Sequence, residues 1–223
     1  GMASTSHPLS TQAAIRILQE GGNAMDGALA ACAVQAVVEP ESTGVGGDCF
    51  CLYAPGGSDR IVAFNGSGRA PKGLSSEWLL GQGISRIERH SAHAVTIPGA
   101  VDAWVQLNRD HGSLPLERIL APAISYAREG YPITQRVSVD FAREAGNLGA
   151  AAAAVFAPGG VPVPLGARHT QPALANTLER IGRNGRAGFY EGPVGAEMLA
   201  VLKGMGGCHE EDDFAAAIGD YVT

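Results

Sequence analysis

The chain has 223 residues, with 16 basic and 22 acidic side chains and a formal net charge of -6. Its Lys and Arg form no run, which argues against nucleic acid, because phosphate binding needs clustered cations. No apolar stretch reaches the ~18 residues a membrane span requires; the nearest, Ala24–Val38, is short and alanine-rich. Gly1-Met2 reads as a cloning remnant, no export signal precedes the first helix, and a cytoplasmic location is favoured. A trimmed leader would instead place the protein in the periplasm or outside the cell.

The first predicted helix starts near Pro8, with Ser6 or His7 as its cap, and Ala14, Ile17 and Leu18 give it an apolar face. Gly21-Gly22 stops it, since glycine accepts the left-handed conformation of a helix end. Asn23 caps a second helix, and Asp26 stands in its first turn, where the helix dipole favours negative charge. From Ala24 to Val38 this helix is small and apolar throughout, so it is expected to be buried on every side, Cys32 included. The turn Gly44-Val45-Gly46-Gly47 lacks the Lys-Ser/Thr of a phosphate loop and leads into a strand, so close packing is the favoured reading.

Cys49–Ala54 and Arg60–Asn65 read as a hairpin joined across Pro55–Asp59, with Cys49 and Cys51 on one face. Helices follow at Ser75–Leu80, Pro98–Asp110 and Pro115–Glu129. The last carries Leu116, Ile119, Leu120, Ala123, Ile124 and Ala127 on one face and stops at Gly130. Further helical segments are expected at Ile133–Ala145, Ala150–Ala154, Gln171–Gly182 and Pro193–Gly206. Glu210–Asp213 reads as a solvated helix start. Trp78 and Trp104 are expected in the core. The four cysteines have neither disulfide nor metal spacing, and the histidines form no ligand set, so no metal or cofactor is expected. Two strands and many helices leave a layer that needs neighbours to cover its apolar faces.

The block from Ser6 to Tyr53, SHPLSTQAAIRILQEGGNAMDGALAACAVQAVVEPESTGVGGDCFCLY, resembles the start of the gamma-glutamyltranspeptidase family. The likeness continues in NGSGRAP (Asn65–Pro71), VTIPGAVDAW (Val95–Trp104), His111–Thr134, Gln171–Val194 and Asp212–Thr223. It implies the α+β fold of the N-terminal-nucleophile hydrolases, an αββα sandwich of which this chain supplies mainly the helical part and a few strands. Residues 3–223 would then be an incomplete large-subunit portion of a single such domain, with residues 1–2 outside it. The family is made as a precursor that cuts itself into large and small subunits.

The implied activity is that of a transferase or hydrolase of glutathione metabolism, which cleaves a gamma-glutamyl or similar amide through a threonine acyl-enzyme. In the family that threonine begins the small subunit, where its own α-amino group serves as base. This chain begins at Gly1, and its last residue, Thr223, matches a segment before the family's cleavage point, so no catalytic residue is assigned. The segment ending in Ala70-Pro71 holds, in gamma-glutamyl enzymes, an arginine that grips the substrate carboxylate three residues before the alanine. Ser67 stands at that position here, and the nearby arginine is Arg69. Arg69, Ser67 and Asn65 are therefore the candidate substrate-binding residues, a guanidinium fork being suited to a carboxylate. The departure leaves open a related small-amide hydrolase of the oxamate amidohydrolase or cephalosporin acylase type. A truncated, non-catalytic remnant is the reading from a different class. The implied partners are the missing C-terminal part or small subunit of the same precursor, a second copy of the chain, and a small-molecule amide. Nucleic acid and membrane are not among them.

Overall fold

The computed structural model describes residues 1–222; Thr223 lies outside the described residues. In chain order the elements are α1 (Pro8–Gln19), α2 (Ala24–Val38), β1 (Cys49–Tyr53), β2 (Val62–Gly66), α3 (Ser76–Gly81), α4 (Ala100–His111) and α5 (Leu116–Glu129). They continue with β3 (Tyr131–Pro132), α6 (Gln135–Glu144), α7 (Ala150–Phe156), β4 (Arg168–His169), α8 (Pro172–Asn184), α9 (Ala187–Tyr190), α10 (Gly192–Gly204), α11 (Glu211–Ala216) and β5 (Asp220–Val222). The chain forms two compact units, one from Gly1–Gly44 and His111–Arg183, the other from Val45–Asp110 and the chain from Asn184 onward.

The first unit is built on α1, α2 and α5, with α2 packed against both of the others. Their ends follow from local chemistry. His7 caps α1, its Nδ1 accepting from the Leu9 N–H at 3.2 Å. Asn23 and Asp26 form a reciprocal capping box at the start of α2, which satisfies two otherwise orphaned donors. Gly21 and Gly130 both sit at φ 95°, the left-handed region where glycine ends a helix without steric cost. Ile119, Leu120, Ala123 and Ala127 of α5 are buried as the periodicity predicts, and Ile124 is half-buried. The helix α2 departs from expectation: Ala28 and Cys32 are exposed, because neighbours cover the rest of its surface and leave the strip that carries these two positions open. Tyr131 leaves α5 through β3, and its hydroxyl donates to the Val37 carbonyl at 2.7 Å.

The second unit holds an antiparallel sheet in the order β1–β2–β5. The hairpin expected from sequence is present, and β5 adds a third strand that no pattern in the sequence marks. Residues alternate across this sheet as the pleat requires. Cys51, Phe64 and Tyr221 share one row and one face, with Phe64 buried and edge-on to Tyr221 at 4.9 Å. The opposite face is open: Phe50 is 68% and Leu52 80% exposed, with Asn65 and Asp220 in the same row as Phe50. Trp104 is core, whereas Trp78 is only half-buried, since the short α3 buries none of its residues. Asp213 is buried rather than solvated, because it accepts from the Lys72 N–H (3.0 Å) and closes a capping box with Glu210 (2.9 Å).

Among the described residues no helix is long and apolar enough to cross a membrane, and no cluster of His, Cys, Asp and Glu could hold a metal ion.

Candidate functional site

The second unit places Asn65 near the end of β2 and Ser67 and Arg69 in the loop that leaves it. Asn65 begins the turn into that loop: its side-chain Oδ1 accepts from the Ser67 N–H at 3.0 Å, a local turn of the kind Asn favours. Glycines then let the backbone pass close to the segment before α4. A Cβ on Gly68 would stand 2.3 Å from the Ile97 carbonyl oxygen, and one on Gly99 would stand 2.1 Å from that of Gly66. The Gly68 N–H donates to Asp48 Oδ1 at 2.6 Å, and the Arg69 carbonyl accepts from the Ile97 N–H at 2.9 Å. The loop's main chain is thus pinned at three successive residues.

The start of α4 is occupied as well. The Gly99 and Ala100 N–H groups both donate to the Gly47 carbonyl, at 3.0 and 2.9 Å. Those two donors are spent on the chain itself and are not open to a phosphate. Nor is the turn tightly packed throughout: nothing approaches the Cβ positions of Gly44 and Gly46 within 4 Å. The anchoring runs through the Gly47 carbonyl instead.

Arg69 is the one cation in this loop. Its Nη2 donates to Asp220 Oδ2 at 2.6 Å, and the two side chains stay 65% and 58% exposed. An exposed pair of this kind contributes little stability. It does fix one edge of the fork while leaving the rest of the guanidinium open to solvent. Asp220 is the first residue of β5 and lies opposite Asn65 in the ladder, so Asn65, Arg69 and Asp220 meet at one end of the sheet.

Asp220 is itself held from behind. The preceding residue, Gly219, donates its N–H to Asp102 Oδ2 at 2.8 Å and accepts from Gln106 Nε2 at 3.2 Å. Asp102 is 3% exposed, and its Oδ1 accepts from Arg186 Nε at 3.1 Å. The Arg186 Nη2 donates to the carbonyls of Phe214, Ala215 and Ala217, and its guanidinium lies 4.6 Å from the Tyr190 ring centroid. The Tyr190 hydroxyl donates to the Pro98 carbonyl at 2.6 Å and accepts from the Asp102 N–H at 3.1 Å. Burial pushes the Tyr190 phenol well above its usual range, so it stays a neutral donor.

The sequence profile of gamma-glutamyltranspeptidase matches residues 10–219. The chain belongs to the gamma-glutamyltranspeptidase family. Within that family it is 36% identical to the glutathione hydrolase-like YwrD proenzyme of Bacillus subtilis, over all of this chain and 42% of that protein. It is 35% identical to the oxamate amidohydrolase proenzyme of Klebsiella pneumoniae, over 92% of this chain and 40% of that protein. The crystal structure of Helicobacter pylori gamma-glutamyltranspeptidase superposes with a TM-score of 0.92 and 28% identity, covering 99% of this chain and 65% of that one. The chain therefore spans about two fifths of the length of the curated relatives it matches, and it corresponds to the N-terminal portion of the gamma-glutamyltranspeptidase large subunit. Its mixed helices and few strands are the α+β fold of this N-terminal-nucleophile hydrolase family.

Asp48 and Asp220 were not among the residues singled out from sequence. No spacing signal marks Asp220, which stands 151 residues from Arg69. Asp48 follows the glycine turn directly, but nothing in the sequence ties it to Gly68.

Proposed function

We propose that this chain is the large-subunit portion of a gamma-glutamyltranspeptidase-family amide hydrolase, and that its contribution to the site is the carboxylate-reading loop Asn65–Arg69. The observation that carries this is the pinned loop, which holds one half-open guanidinium at the end of the sheet. The family's chemistry would be completed by polypeptide outside this chain. A threonine hydroxyl there attacks the amide carbonyl, its proton passes to the threonine's own α-amino group, and the amine leaves carrying a proton. Water or a second amine then takes the acyl group. The open face that carries Phe50 and Leu52 is where that further polypeptide would pack, since exposed apolar surface of this kind marks an interaction site.

A second reading concerns the acyl group. Ser67 occupies the place where the gamma-glutamyl pattern has its arginine, and the two relatives described above are almost equally similar while their names differ in substrate. Oxamate, with its carboxylate next to the amide, suits a pocket whose cation sits two residues further along. The complete processed enzyme, assayed with a chromogenic gamma-glutamyl anilide and with oxamate, decides between the two. The isolated 223-residue chain is expected to turn over neither. Turnover by that chain alone, surviving repurification, overturns the proposal.

A further inference from the structure

We infer that Asp220 is a positioning residue for Arg69: it holds one edge of the guanidinium so that the other edge faces the substrate carboxylate. This inference rests on the reading of Arg69 given above. The geometry separates what fixes the loop from what fixes its side chain. The main chain from Asn65 to Arg69 is pinned by Asn65, Asp48 and Ile97 through bonds to the Ser67 N–H, the Gly68 N–H and the Arg69 carbonyl. The Arg69 side chain, 65% exposed, has Asp220 as the partner that orients it.

Asp220 in turn does not depend on Arg69 for its place. Gly219 is tied through both its N–H and its carbonyl, to Asp102 and Gln106, and Asn65 pairs with Asp220 in the sheet. Asp102 is fixed by Arg186, whose guanidinium is committed to three carbonyls as well. A rigid carboxylate beside a long, exposed arginine cuts the rotamer freedom that binding would otherwise have to remove. A guanidinium suits this arrangement because its planar fork can give one edge to Asp220 and a second to a ligand carboxylate.

The test uses the complete processed enzyme and whichever of gamma-glutamyl anilide and oxamate it turns over faster, both of which carry a carboxylate. Asp220→Asn should raise KM by about two- to five-fold, the range expected for an exposed ion pair, with kcat little changed. In an Arg69→Ala background the same substitution should have no further effect. The order parameter of the Arg69 Nε–Hε group, measured by NMR, should fall in Asp220→Asn. A wild-type KM in Asp220→Asn overturns the inference, as does an equal KM rise in both backgrounds, which would mark a merely structural role. If Arg69→Ala itself leaves KM unchanged, the carboxylate-reading proposal fails. The Arg69 order parameter then decides alone whether Asp220 orients this side chain.

Discussion

Removing the Asp102 carboxylate tests the frame behind the loop. In Asp102→Ala, the Gly219 N–H loses an acceptor at 2.8 Å, Gln106 Nε2 loses one at 2.8 Å, and Arg186 Nε loses one at 3.1 Å. Breaking a buried ion pair by deleting one partner costs about 3–5 kcal/mol. Arg186 keeps its three carbonyl acceptors and is 22% exposed, which lowers the expected cost to about 2–3 kcal/mol. This chain is about two fifths of the length of its relatives, so in the complete enzyme, unfolding as one unit, that corresponds to a Tm loss of about 2–3 °C. The assay is thermal unfolding of the complete enzyme, with hydrogen exchange at Gly219 as the local readout. Asp102→Asn, which can still accept one of these bonds, should fall between wild type and Ala. Arg186→Lys should behave like Asp102→Ala, because an ammonium cannot reach Asp102 and three carbonyls together. A Tm within about 1 °C of wild type for Asp102→Ala, or unchanged exchange at Gly219, refutes the reasoning that this network holds β5 in place.

Other substitutions probe separate features. Both Glu41 carboxylate oxygens are shielded from solvent; burial raises its pKa, Glu39 and Asp140 add to the rise, and hydrogen bonding from its own backbone and Ser42 does not offset it. A folded-state pKa above the unfolded one means that stability falls as pH climbs from the ordinary glutamate value through the raised one. Glu41→Gln should therefore raise Tm near about pH 8 and have little effect near about pH 4; a pH-independent change refutes this. Gly68→Ala places a methyl 2.3 Å from the Ile97 carbonyl oxygen, so the loop must move, and kcat/KM in the complete enzyme should drop at least about ten-fold, the cost of misplacing a substrate-positioning group. Asn23→Ala removes the α2 capping box and the bonds from Asn23 Nδ2 to the His111 carbonyl and Ser113 Oγ; denaturant unfolding should show a loss of about 1–2 kcal/mol.

The parts of the fold that were legible in the sequence are those specified locally. Asn23 with Asp26, Gly21 and Gly130 mark helix ends through bonds or dihedrals that involve only near neighbours, and α5 shows its buried face as a helical repeat. The strand β5 was not legible. It has three residues, Asp220, Tyr221 and Val222, all exposed, so it carries no burial alternation, and its pairing partner β2 lies far back in the chain. Cys32 shows the limit of composition: an apolar helix is buried only where neighbours reach it. At the candidate site the sequence shows Asn65, Ser67 and Arg69 as a cluster because they fall within one five-residue stretch. It could not show Asp48 under Gly68 or Asp220 against Arg69, because those contacts exist only once the sheet has formed.

The measurement that bears most directly on the central claim is kcat/KM of the complete, processed enzyme and its Arg69→Ala variant, on gamma-glutamyl anilide and on oxamate. A charged hydrogen bond is worth about 1.5–3 kcal/mol. If Arg69 reads the substrate carboxylate, the variant should lose roughly ten- to a hundred-fold on the preferred substrate, and Arg69→Lys should recover little of it. An unchanged kcat/KM in Arg69→Ala would contradict the account and leave Arg69 a loop residue paired with Asp220.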